Sequence, residues 1–87
     1  MTPAQRRIMD AVEAAPAGVG VCFDGRSSAA IDALYRLGLV ERDIDHVQSL
    51  RAGGSFHRAT RIRVWLAGGP YPEGGDVWPN GIPWWLA

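Results

Sequence analysis

Apolar positions in the first fifteen residues recur at helical spacing: Ala4, Ile8, Val12 and Ala15, with Met9 and Ala11 flanking them. Arg6, Arg7, Asp10 and Glu13 fall mainly on the other side. Thr2 as N-cap, Pro3 as first helical residue and Gln5 as reciprocal partner complete a capping box. Pro16 and Gly18 end that helix. Val19, Val21 and Phe23 then alternate with Gly20 and Cys22, which predicts a short strand. A turn over Asp24-Gly25-Arg26-Ser27 follows, in which Asp24 or Ser27 caps a second helix reaching about Leu37. Ala30, Ile31, Leu34 and Leu37 form its apolar face. Gly38 sits where a left-handed residue closes a helix, and Leu39 can fold back before Val40 turns extended.

Residues 40–50 and 56–67 read as the arms of a β-hairpin around Gly53-Gly54-Ser55. A three-residue loop sets Ile44 against Val64, His46 against Ile62 and Gln48 against Thr60. Apolar residues then share one face, and Asp45 meets Arg63 on the other. A two-residue Gly53-Gly54 loop would pair Ile44 with Arg63 and Asp45 with Ile62, so the three-residue register matches the pattern better. From residue 68 onward, Gly68-Gly69-Pro70, Pro72, Gly74-Gly75, Pro79, Gly81 and Pro83 forbid long regular elements. This stretch nevertheless carries Tyr71, Trp78, Trp84 and Trp85, and disordered segments are poor in aromatics. The expected organisation is a domain over 1–67 and a Pro/Gly/Trp-rich tail over 68–87, docked on the domain or on a partner.

Composition narrows the class. The chain has 87 residues and one cysteine, so no internal disulfide supports its core. A domain this small buries roughly 60–65% of its unfolded surface and depends on tight packing or self-association. An unpaired thiol suits a reducing cytoplasm. No apolar run approaches the roughly 20 residues that span a bilayer, and the start lacks the pattern of a secretory signal. Formal net charge is zero, but it is unevenly spread. Residues 1–45 hold five arginines and seven acids, residues 46–67 four arginines and no acid, and residues 68–87 two acids. All nine basic residues are arginine, whose fork suits phosphate and base edges.

Helix, short strand, helix and glycine-tipped hairpin follow the order of a winged helix-turn-helix domain. The passage Ala33-Leu34-Tyr35-Arg36-Leu37-Gly38-Leu39-Val40-Glu41-Arg42 resembles the L-x-x-L-G-L-V transition from recognition helix to wing in MarR-like regulators. The resemblance covers residues 2–67 and implies an α+β fold: a compact winged helix of two main helices, a β-hairpin wing and an aromatic tail. It departs from the family in one respect. Only fourteen residues, Asp24 to Leu37, separate strand from wing, so the first helix of the turn-helix pair is a single turn or missing. Compact winged-helix proteins of actinobacteria or their phages would fit both the abbreviation and the arginine bias.

The resemblance implies a double-stranded DNA-binding regulatory factor, with homodimerisation on DNA. The second helix would present Arg26, Ser28 and Arg36, and the wing Arg51, His57, Arg58, Arg61 and Arg63. The competing function is a protein-interaction module acting through Trp78, Trp84 and Trp85, the side-chain type that anchors interfaces. No metal is expected, because His46 and His57 are not cross-strand partners and lack a third ligand. No cofactor-binding loop and no nucleophile with a base is evident, so neither a cofactor nor an enzymatic reaction is expected.

Overall fold

Thr2 starts the first helix as its spacing requires. Its Oγ1 accepts from the Gln5 backbone N–H at 3.2 Å, while Gln5 Oε1 accepts from the Thr2 N–H at 3.2 Å. The computed structural model describes the backbone of residues 1–50 and 56–82, and side chains except those of 46–50 and 56–59. The elements are α1 (Pro3–Ala14), β1 (Gly20–Asp24), a 3₁₀ turn (Gly25–Ser27), α2 (Ser28–Arg36), β2 (Val40–Leu50), β3 (Phe56–Leu66) and β4 (Asp76–Val77). The interval that is too short for two helices thus holds one 3₁₀ turn and α2. Gly38, at φ 76°, closes α2: its N–H reaches Tyr35 O and the Leu39 N–H reaches Leu34 O.

The fold is α+β, two helices on a mixed four-stranded sheet of order β2-β3-β1-β4. β1 runs antiparallel to β3 and parallel to β4, and β2 runs antiparallel to β3. Among the described residues, no helix is long and apolar enough to cross a membrane.

Alternation divides the sheet residues between two faces. Val21, Phe23, Val40, Ile62 and Val64 face the helices and pack with Ile8, Met9, Val12, Ile31 and Leu34. Gly20, Cys22, Asp24, Glu41, Asp43, Asp45, Arg61, Arg63 and Trp65 occupy the outer face by register.

The hairpin register differs from the sequence expectation. Ile44 pairs with Ile62, Asp45 with Arg61 and His46 with Thr60, a shift of two residues that leaves residues 51–55 between the arms. A two-residue shift preserves the side-chain faces, so hydrophobic alternation could not distinguish the two registers. β1 puts Val21 beside Val64 and Phe23 beside Ile62, which adds its apolar residues to the inner face of β3.

β1 accompanies β3 only over Arg61–Val64. From Thr60 outward, β2 and β3 continue as a two-stranded ribbon to the pair Leu50 and Phe56. That projection is roughly 15 Å at strand rise, and the molecule measures 42 Å by 26 Å by 19 Å.

After β3 the chain turns back as a strap over 68–82. Gly74 N–H bonds Gly18 O at 2.8 Å, Gly20 N–H bonds Gly75 O at 3.1 Å, and β4 adds a parallel bridge beside β1. Gly20 makes this docking possible, because a Cβ there would lie 2.7 Å from both Arg63 Cγ and Asp76 Oδ1. Gly20→Ala is therefore expected to cost about 1–3 kcal/mol by overpacking, read as a lower urea midpoint with an unchanged slope. An unchanged midpoint would show that the strap yields at no cost.

Candidate nucleic-acid interface

The residues expected to contact nucleic acid separate into two groups. Arg26 lies in the 3₁₀ turn with its side chain 93% exposed. Asp24 Oδ1 accepts from its backbone N–H at 3.0 Å, and Asp24 Oδ2 lies 3.5 Å from its Nε. Ser28 is the half-buried first residue of α2, and Arg36 its exposed last residue. Among the described residues, Arg6, Arg7 and Arg36 form no ion pair. His57 and Arg58 belong to β3 by backbone, with side chains outside the described set. Arg51, Trp84 and Trp85 lie outside the described residues altogether.

Arg61 and Arg63 are bound into the protein itself. Arg61 Nη2 meets Asp45 Oδ2 at 3.0 Å, and its Nη1 lies 3.9 Å from Asp76 Oδ2. Arg63 Nη2 meets Asp43 Oδ2 at 3.0 Å, and its Nη1 lies 3.4 Å from Asp76 Oδ2. These two arginines are thus opposed by acids from the neighbouring strand and the strap. Asp45 pairs with Arg61, whereas the sequence pattern had matched it with Arg63. Asp43 takes the latter place.

Tyr71 closes the cluster from above. Its hydroxyl accepts from Arg63 Nη2 at 2.6 Å and donates to Asp43 Oδ2 at 2.9 Å. Its ring stands edge-on to Trp65 at 5.3 Å, with the Arg63 guanidinium 5.3 Å from its centre. Burial works against the Arg63 charge, but the hydrogen bond to Asp43 and the field of Asp76 outweigh it and raise its pKa. The hydrogen bond to Asp43 likewise holds the Tyr71 phenol protonated above its ordinary range. Asp76 is 5% exposed, and its Oδ1 has no hydrogen-bond partner among the described residues.

A second pairing changes the character of α2. Asp32 would repel a phosphate backbone, but Arg42 Nη2 holds it at 3.1 Å. The Arg42 guanidinium also sits 4.7 Å over the Tyr35 ring. Exposed ion pairs contribute under about 1 kcal/mol, so the consequence here is neutralisation rather than stability. Arg26 and Arg36 then bracket a helix whose one acid is matched.

Sequence reasoning missed Asp76, Tyr71 and Gly20 as members of the network and Arg42 as the partner of Asp32. Same-face spacing of Asp43 with Asp45 and of Arg61 with Arg63 was the available signal. Nothing local distinguished Asp76 from a solvated acid in a glycine-rich tail.

Cys22 is fully buried on the outer side of β1. Burial pushes its thiol up to about 11, reinforced by Asp76 and opposed by Arg61 and Arg63. Such a thiol is a poor nucleophile at neutral pH. Among the described residues, no group of three or more His, Cys, Asp or Glu could hold a metal. Trp78 is half-buried; its N–H donates to Ile82 O at 2.8 Å, and its side chain lines a groove beside Ala11, Ala14 and Ala15 of α1.

Two measurements follow from the network. Native Cys22 should resist a thiol-specific disulfide reagent at pH near 8 and react promptly in denaturant; fast native labelling would show that the covering strap opens readily. Tyr71, whose pKa is raised on folding, contributes stability in full below the ordinary phenol pKa of 10.0. That contribution is lost as pH climbs through the raised value. Phenolate absorbance should therefore show a late step that Tyr71→Phe abolishes; a late step surviving Tyr71→Phe would show that the network does not hold this phenol. Comparisons with protein families, with characterised proteins and with solved structures return no match to this chain, so its functional reading rests on this geometry.

Proposed function

We propose that the protein binds double-stranded DNA, laying α2 and the β2–β3 ribbon against the duplex as a regulatory factor. The observation that carries this reading is the ribbon, which leaves the body at Thr60 and continues without β1. In sequence, Arg51 and Arg58 fall at its far end, where no acid lies between residues 46 and 67. A protruding two-stranded arm next to an exposed helix suits groove and backbone contact. Resemblance to winged-helix regulators supports the same reading, with the 3₁₀ turn in place of the helix that precedes the reading helix.

Charge distribution favours one approach. Among the described residues, the outer sheet face has five acids by register and pairing, Asp24, Glu41, Asp43, Asp45 and Asp76, with only Arg61 and Arg63 among them. That face repels a polyanion. On the helical side, Arg26 and Arg36 remain solvated, and Arg42 neutralises Asp32. Arg61 and Arg63 act structurally in this scheme, while Arg26, Arg36, Arg51 and Arg58 contact phosphate. Ser28, at the start of α2, is placed beside Arg26, and His57 beside Arg58 in β3.

Four phosphate contacts give a log–log salt slope of about −4 for one chain, and a homodimer doubles it. Fluorescence anisotropy of a labelled duplex at two salt concentrations tests this directly. Arg51→Ala with Arg58→Ala should weaken binding about tenfold or more and flatten the slope by about 2, leaving the thermal midpoint unchanged. Arg63→Ala should instead lower the midpoint, because it strands Asp76. Absence of duplex binding by the unmodified chain at low salt would refute the proposal.

A further inference from the structure

A groove of about 400 Å³ runs between the first half of α1, the 3₁₀ turn and the strap. Its floor is apolar, built from Ile8, Phe23 and Pro79. Its polar walls are Arg7, Arg26 and the Ser27 hydroxyl, and no carboxylate lines it. Every one of these polar groups can donate a hydrogen bond. Arg7 forms no ion pair among the described residues, and the Ser27 side chain makes no capping bond to α2. Arg26 is held by Asp24 only through its Nε side, which leaves its two terminal amino groups toward solvent.

Arg7 lies three residues after Ala4, whose small side chain also lines the groove, and three before Asp10, with which it forms no ion pair among the described residues. Arg6 lies four residues before Asp10 and does not line the groove. Both arginines line the groove, and like charges on one groove repel each other. An anion with several acceptor oxygens relieves that repulsion, and the apolar floor strengthens the attraction by excluding water.

We propose that Arg7 and Arg26 form a clamp for one backbone phosphate of the duplex, a contact on α1 that anchors the start of α2. This inference rests on the DNA-binding reading and adds to it a site on an element that reading does not use. A phosphodiester fits the site: its free oxygens accept from both arginine forks while the Ser27 hydroxyl donates to a third acceptor. Such a contact carries no sequence information, so it strengthens binding to all duplexes alike.

The test is anisotropy of a labelled duplex with the full chain and with Arg7→Ala, Arg26→Ala, Arg7→Lys and Arg6→Ala, each at several salt concentrations. Arg7→Ala and Arg26→Ala should each weaken binding three- to tenfold on any duplex sequence, and the two together should flatten the salt slope by about 0.9, the share of the one phosphate they hold. Arg7→Lys should retain most of the slope, and Arg6→Ala should change affinity less than twofold. Thermal midpoints should stay constant, since both clamp residues lie at the surface. If the unmodified chain binds duplex while Arg7→Ala and Arg26→Ala bind as well with the same slope, the clamp is overturned and the DNA reading stands. Equal losses for Arg6→Ala and Arg7→Ala would also overturn it, leaving only diffuse charge. A parallel titration with inorganic phosphate at constant ionic strength, followed by backbone amide shifts, separates the ligand sources. Saturable phosphate binding that Arg7→Ala abolishes, with duplex affinity unaffected, would reassign the groove to a small free anion and overturn the duplex contact. No duplex binding by any form would refute the DNA-binding proposal itself.

Discussion

Asp76 is an acid more than nine-tenths buried, set over a glycine of β1 and beside two arginines of β3, the strand beyond it. Removing a carboxylate from water costs several kcal/mol unless cations compensate. Arg61 and Arg63 provide that compensation, and each is also held by an acid of β2. The network therefore joins β2, β3 and the strap across the outer sheet face, with β1 between β3 and β4. Gly20 is its steric condition, since any side chain there would occupy the space of the Arg63 stem and the Asp76 carboxylate.

This arrangement gives the sheet two unlike sides. The inner side is a small hydrophobic core, Ile31, Leu34, Val21, Ile62 and Val64 against α1 and α2. The outer side carries an ionic network capped by Tyr71 and the strap, where many small proteins would be open to solvent. In a chain this short, with no disulfide, covering both faces of the sheet buries surface that a two-layer sandwich alone would leave exposed. Cys22 is inert for the same reason: it lies beneath this second cover.

Segregation of charge links the fold to the proposed function. Acids concentrated on the outer face hold the two arginines of β3 in structural service. Of the other described arginines, Arg6, Arg7 and Arg36 lie in the helices, Arg26 in the 3₁₀ turn, Arg42 in β2 against Asp32 and Arg58 in the ribbon by backbone. On the proposed function, a polyanion would be guided toward one side, although the formal net charge is zero. Net charge alone is therefore a poor guide to what this protein attracts.

Both helices, the α1 N-cap, the glycine that closes α2 and the hairpin were legible in the sequence because each depends on residues close in the chain, whereas Asp24 caps the 3₁₀ turn and Ser27 makes no capping bond to α2. Thr2 with Gln5, Gly38 after Leu37, and apolar alternation from Val40 onward are local signals with local causes. The α+β class follows from them. Hairpin register was not legible, since a shift by two residues leaves every side chain on its face. Nor could the role of Arg61 and Arg63 be read locally. Their counter-ions come from Asp43 and Asp45 across a strand pair and from Asp76 beyond a glycine-rich strap. Whether an arginine is committed to the fold or left for a ligand depends on which distant acid reaches it, and tertiary structure alone decides that.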